Sequence, residues 1–348
     1  MNPPAWAEQL VKWHRMKLAT FVSSNAKSAV GVVDTVHRRL LGLKEAARLS
    51  GDVVSYFDDM LSLIDAGPRG LRHAQQLCEQ WNADASIPLS QLKLLAPLPR
   101  PQQIRDCLVF EEHFANSLKR AAERNGRPPQ VIPRIWYDQP VYYKANRFSV
   151  VGPDTDVVWP AYSDWMDFEL ELACVIGKTG KDISPSESLG HVFGFTIFND
   201  FSARDAQYAE MEARLGPAKG KDFDTGNVLG PWIVTLDELG DPHDLKMTAR
   251  VNGEEWGGGS SRNMHHKFDV ILAHISKSET IYAGEVICSG TVGTGCGMEL
   301  GRKLSSNDVI ELEIEKIGVL RNRIVRQRDL ATQFRSESRG DIAAPHTS

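Results

Sequence analysis

No stretch of about eighteen consecutive apolar residues occurs in the chain, which excludes a membrane-spanning helix. The first residues lack the apolar core of a signal peptide, so the expected location is the cytoplasm. An excess of either charge is also missing. Lys and Arg number 40 against 45 Asp and Glu, a formal net charge of −5, and electrostatics give no case for nucleic acid or an anionic membrane as partner. Cysteine is scarce: Cys78, Cys107, Cys174, Cys288 and Cys296 are an odd number without paired metal spacing. That pattern reads as reduced thiols rather than a disulfide framework. A nucleotide loop is absent too, because the basic run Gly216-Pro217-Ala218-Lys219-Gly220-Lys221 lacks the glycine spacing and Lys-Ser/Thr ending that cradle phosphates. Internal repeats and low-complexity tracts are likewise missing.

What is present, 348 residues of ordinary globular composition, suffices for one large domain and a smaller one. Residues 1–15 read as an added lead. Residues 16–100 read as a small N-terminal cap domain of α/β type, opening on a hairpin over 16–21 and 28–33. Apolar spacing predicts helices over 37–49, 53–64 and 69–81, before an extended Pro-rich linker over 87–101. Residues 101–325 read as the catalytic domain. The pattern over 104–124 is helical and places Asp106, Glu111, Glu112 and His113 on early turns, where acidic groups also suit the helix dipole. Residues 131–136 look strand-like. From Asp167 onward short apolar strands alternate with turns such as Asn252-Gly253, with one helix over 268–276, which argues for a barrel-like or sandwich sheet. The polar tail, 326–348, is expected to be disordered.

The chemistry centres on Asp167-Phe168-Glu169-Leu170-Glu171-Leu172-Ala173-Cys174-Val175-Ile176. Strict alternation predicts a strand with Glu169 and Glu171 on one face, roughly 7 Å apart. Such a pair is either a solvated sheet face or a cation site. A second strand runs into Asn199-Asp200 and becomes a helix, with Ser202 as a possible cap. If Asp200 joins the pair, the carboxylates form a hard-cation site for Mg²⁺, Mn²⁺ or Ca²⁺, and the lack of matched Cys and His argues against zinc. Arg204 and Gln207, one helical turn on, suit an anionic, oxygen-rich substrate. The run Cys288-Ser289-Gly290-Thr291-Val292-Gly293-Thr294-Gly295-Cys296 is either a plain Gly-rich turn or a loop whose backbone N–H groups approach a ligand oxygen.

In order along the chain, Phe168-Glu169-Leu170-Glu171-Leu172, Asn199-Asp200-Phe201-Ser202-Ala203-Arg204-Asp205-Ala206-Gln207, Gly220-Lys221-Asp222-Phe223 and Ser289-Gly290-Thr291 resemble the motifs of the fumarylacetoacetate hydrolase family. The resemblance covers roughly residues 100 to 325. It implies an α+β, β-rich fold: a mixed β-roll or barrel catalytic domain behind the small N-terminal α/β domain, assembled as a homodimer. It also implies Glu169, Glu171 and Asp200 as metal ligands, Lys221 as stabiliser of developing negative charge, and Arg204, Gln207, Gly290 and Thr291 as substrate contacts. Lys144 and Thr225 match further substrate positions. At the base end the smaller members carry Asn-Tyr-x-Asp-His-x-x-Glu, whereas this chain has Asn116 where that Glu stands. The name-giving hydrolases are a nearer match: Asp106 falls at their metal-binding Asp, seven residues before His113, and Glu299 at the glutamate that orients the His and water. On that pattern Asn116 has no role. Glu111 is an alternative partner for His113, and Glu112 an alternative ligand to Asp106. The family's Tyr after the Gln is replaced by Met211, so the expected substrate is not fumarylacetoacetate itself.

The implied activity is a divalent-metal-dependent hydrolase cleaving a C–C bond in a 1,3-dicarbonyl compound, acylpyruvate- or fumarylacetoacetate-like, in aromatic or small-acid catabolism. The alternative is an oxaloacetate-type decarboxylase or keto–enol isomerase on the same site. A non-catalytic metal- or ligand-binding relative is the third reading, and the joint presence of Glu169, Glu171, Asp200, Arg204, Lys221 and Glu299 argues against it.

Overall fold

A computed structural model describes residues 16–23, 27–128 and 130–326. The expected lead over 1–15 and the expected disordered tail from 327 on lie outside the described residues. The fold is α+β and rich in sheet, as the motifs imply.

A 12-stranded sheet forms the body of the protein. Its spine runs from Ser86–Pro88 through Arg39–Gly42, Ser28–Asp34, Lys17–Val22, Asn227–Thr235, Val192–Asp200, Leu170–Ile176, Val286–Cys288 and Ile104–Cys107 to Tyr142–Ala145. Strands of the N-terminal hundred residues and strands of the later part therefore share one sheet, joined where Leu18 pairs with Ile233. The central strand Leu170–Ile176 is buried at every position, as expected for a strand covered on both faces. A second sheet of five strands, Glu254–Ser260, Lys246–Val251, Val309–Ile314, Gly318–Arg326 and Val157–Trp159, packs its apolar side on the same core. Asn252 and Gly253 both have positive φ and close the Lys246–Val251 to Glu254–Ser260 hairpin, the two-residue turn that matches strand twist. The later strands and the helix Phe268–Ile275 stand where alternation predicts them.

The early helices differ. The span 37–49 splits into the strand Arg39–Gly42 and the helix Leu43–Leu49, because Leu40 and Leu41 pair with Val33 and Val32 rather than lining a helix face. Residues 53–59 are not helical. The helix Met60–Gln80 begins where Asp59 accepts a hydrogen bond from Ser62 N at 2.8 Å, and it breaks at Gly67 (φ 53°) before Pro68, a pair that cannot continue the ladder. The strand-like 131–136 is instead a short helix, Arg134–Asp138 after Pro133. Most consequential for the site, 104–124 is a strand, Ile104–Cys107, followed by the helix Glu111–Asn125.

Candidate active site

Asp106 stands on a strand, and that is why it reaches the other acids. Cys288 pairs with both Ala173 and Asp106, so Ile104–Cys107 lies two strands from Leu170–Ile176 with the same face presented. Asp200 ends the neighbouring strand on the other side, where Leu170 pairs with Asn199. Ligand oxygens of Glu169, Glu171 and Asp200 fall within 4.8 Å of one another, as do the donor atoms of Asp106, Glu171 and Cys288. The solvated-face reading of the Glu pair fails, because Glu171 and Asp200 are fully buried and Glu169 and Asp106 nearly so.

Cations divide the four acids into two kinds. Glu169 is ion-paired on both oxygens: Lys221 Nζ lies 2.6 Å from its Oε2 and Arg204 Nη1 2.7 Å from its Oε1. Burial alone would raise its pKa, but Lys221 and Arg204 hold the carboxyl well below the usual range. Glu171, by contrast, has no cation beside it among the described residues and accepts from Gly290 N (3.0 Å) and Thr291 Oγ1 (3.5 Å). Burial and the facing Asp106 push it well above the usual carboxylate range. Burial and Asp200 do the same to Asp106. Burial raises Asp200 as well, against Lys221 at 2.6 Å. Tyr143 donates to Asp200 Oδ2 at 2.7 Å, while Asp106 Oδ1 and Asp200 Oδ1 are buried without a hydrogen-bond partner. Two orphaned oxygens amid mutually repelling carboxylates fit a hard divalent cation with oxygen ligands. Asp106, Glu169, Glu171 and Asp200 are the residues that can hold it.

In the folded, metal-free chain burial and mutual repulsion raise the pKa values of Asp106, Glu171 and Asp200 above those of the unfolded chain. Their contribution to stability is therefore lost as pH rises above the ordinary carboxylate range. We expect the thermal midpoint of EDTA-treated protein to fall from about pH 5 to about pH 8, and Mg²⁺ to abolish that fall. At a hundredfold excess over Kd the ion adds about 2.7 kcal/mol. A midpoint unmoved by Mg²⁺ in differential scanning calorimetry would contradict the assignment.

Asp167, two residues before Glu169, carries a role that its sequence position alone did not reveal. Its Oδ2 accepts from Arg204 Nε (2.9 Å), Arg204 Nη2 (2.8 Å) and Met298 N (2.9 Å), and its Oδ1 from Gly297 N (2.8 Å). It thus fixes both the arginine and the Gly-rich loop. Alternation extended one step back, Asp167-Glu169-Glu171, was the available signal. Asp167→Ala leaves a buried guanidinium half-paired, and urea unfolding is expected to show a loss of about 3 kcal/mol.

The His113 end is also assembled from distant segments. His113 Nδ1 lies 2.8 Å from Glu299 Oε2, and both side chains are buried. Asn116 Nδ2 and Thr294 N each donate to Glu299 Oε1 at 3.0 Å. Asn116 therefore has a role after all, correcting the expectation: it holds the carboxylate that serves His113. Burial would raise Glu299, but His113 holds it below the usual range. Glu111 is engaged by Tyr137 at 2.8 Å instead of by His113, and Glu112 packs over Gly293 rather than among the ligands. Cys296 Sγ donates to Glu299 Oε2 at 3.2 Å, so the chain does bring His and Cys together, contrary to its unmatched spacing.

Among the expected substrate contacts, Arg204, Gln207, Gly290 and Thr291 border the cluster. Gln207 Oε1 accepts from Arg204 Nη1 at 3.0 Å. Ser202 caps nothing; its hydroxyl donates to Asp200 O. Lys144 and Thr225 are not brought to the acids. Register pairs Asp106 with Tyr143, so Lys144 points the other way, to Glu279 at the surface. Thr225 accepts from Val158 N at 2.8 Å in a positive-φ turn. Burial lifts Lys221's neighbour Tyr143 far above the ordinary phenol range. Burial would lower the Lys221 ammonium, but Asp200 and Glu169 raise it, so it stays charged.

A family model, fumarylacetoacetate hydrolase C-terminal, matches residues 110–325. The chain belongs to the fumarylacetoacetate hydrolase family. Among its relatives is the mitochondrial oxaloacetate tautomerase FAHD2A of Homo sapiens, 37% identical over 240 residues, 69% of this chain and 71% of that one. The oxaloacetate tautomerase YisK of Bacillus subtilis (strain 168) is 30% identical over 319 residues, 89% of this chain and 100% of its own. Of solved structures, the fumarylacetoacetate hydrolase of psychrophilic Exiguobacterium antarcticum superposes with a TM-score of 0.69 at 28% identity, covering 90% of this chain and 100% of that one. The family is one of enzymes acting on small molecules. No helix among the described residues is long and apolar enough to cross a membrane.

Proposed function

We propose that this protein is a keto–enol isomerase of an oxaloacetate-like 2-oxo acid, dependent on a divalent ion such as Mg²⁺, with Mn²⁺ or Ca²⁺ as the alternatives. The observation that carries the reading is the buried carboxylate cluster faced by Lys221 and Arg204. It supports an enolate-forming site, and the two relatives are named for that reaction. A divalent ion held by Asp106, Glu169, Glu171 and Asp200 would supply positive charge to the oxygens of the 2-oxo acid. The chain's own groups do the rest. Arg204, with Gln207 bound to it, meets a substrate carboxylate. Lys221 and the Thr291 hydroxyl stand where negative charge develops. His113, its Nδ1 engaged by Glu299, exchanges the C3 proton at Nε2, where the Ser117 hydroxyl lies 3.5 Å away and offers a relay.

One observation favours a second reading, the C–C hydrolase acting on a 1,3-dicarbonyl. A His backed by a carboxylate is also what activates water, and the His113–Glu299 pair is intact. Oxaloacetate tautomerisation, oxaloacetate decarboxylation and acylpyruvate cleavage should be measured on one preparation. The isomerase reading requires the first to have the highest kcat/KM by at least about tenfold, a difference of about 1.4 kcal/mol in barrier. Faster acylpyruvate cleavage overturns it in favour of the hydrolase. We propose a homodimer, as in the family, to be checked by sedimentation.

A further inference from the structure

Beside the all-oxygen cluster stands a second group of donors of different chemistry. A ring nitrogen of His113, Cys296 Sγ and a Glu299 oxygen lie within 4.8 Å of one another, and all three residues are buried. The three sit on two segments, the helix Glu111–Asn125 and the loop running into Gly297–Leu300. Glu299 Oε2 is already approached by both other donors, His113 Nδ1 at 2.8 Å and Cys296 Sγ at 3.2 Å. Its other oxygen is held by Asn116 Nδ2 and Thr294 N. Outer hydrogen bonds of that kind fix a ligating carboxylate and aim its free oxygen.

We propose that His113, Cys296 and Glu299 form a separate site for a thiophilic divalent ion of the Zn²⁺ class. Nitrogen, sulfur and carboxylate oxygen are the donor set such an ion takes, and three protein ligands leave a fourth position open. Mg²⁺, which demands oxygen donors, has no comparable use for the thiol. Binding expels the thiol proton and any proton shared between His113 and Glu299 to solvent, and the ion takes their place. Its occupation withdraws His113 and Glu299 from proton transfer, so Zn²⁺ inhibits where Mg²⁺ activates. That inhibition rests on the role proposed for His113; the binding itself does not.

Co²⁺ added to the full-length protein in saturating Mg²⁺ tests the binding without any turnover. A thiolate-to-cobalt charge-transfer band is expected in the near ultraviolet, with one equivalent bound. Cys296→Ser should abolish the band and weaken Zn²⁺ binding at least about tenfold by competition with a chromophoric chelator. Cys288→Ser, which alters the thiol beneath the carboxylates, and the Glu169→Gln/Glu171→Gln double variant should both keep the band. No band in the wild-type protein overturns the proposal. So does a band that survives Cys296→Ser or is lost in Cys288→Ser.

Discussion

Glu171→Gln is expected to abolish divalent-ion binding and to lower turnover by about a thousandfold, while the metal-free variant melts at a higher temperature than the metal-free parent. The first effect follows from losing a ligand: a bound ion supplies several kcal/mol of charge stabilisation, at about 1.4 kcal/mol per factor of ten. The second follows from repulsion, since burial and Asp106 already force the Glu171 carboxyl toward its neutral form. Glu169→Gln should match it in activity and oppose it in stability. Glu169 is the counter-ion of Lys221 and Arg204, and its loss leaves two buried cations underpaired, a cost of about 3 kcal/mol or more. Calorimetric titration with Mg²⁺ and thermal melts in EDTA read the two effects separately. Equal shifts in stability for both variants would show that the acids are not divided as described.

The next largest effect is expected at the base. His113→Asn should lower kcat by about a thousandfold and Glu299→Gln by about a hundredfold, within the range for a positioned proton-transfer group. Glu299 acts through His113, so its variant should also displace the pH–rate profile, whereas a merely structural loss would scale the profile without moving it. Asn116→Ala removes one of the two donors to Glu299 Oε1 and should give a smaller change in the same direction. A Glu299→Gln profile identical in shape to the wild type would separate the pair.

The pairing of Glu169 with Glu171 was legible because it is local. Alternation over residues 167–176 fixes which side chains share a face, and a carboxylate at a strand end has only a sheet neighbour to meet. The base end was not, because 186 positions separate His113 from Glu299 and nothing in spacing tells which partner the fold delivers. Asn116 is the clearest instance: it reads as a missing catalytic acid and stands as the hydrogen-bond donor that fixes the acid supplied from elsewhere. Asp106 was misplaced on a helix for a related reason. Four buried residues, Ile104 to Cys107, carry too short a pattern to tell a strand from a helical turn, and only pairing with Val286–Cys288 decides it.

The shared sheet has a consequence for anyone wishing to cut the protein down. The segment that matches the family model begins after residue 100, which invites removal of everything before it. Yet Lys17 and Leu18 pair with Val234 and Ile233 at the end of Asn227–Thr235, which also carries the strand ending in Asp200. Trimming there would bare the Ile233–Val234 end of that strand toward water, while Val150–Val151 still pairs with Asn227 and Val228, and an open strand end is a template for other copies to add to. The first hundred residues thus seal that end of the sheet, and we expect the minimal unit that stays in solution to include them.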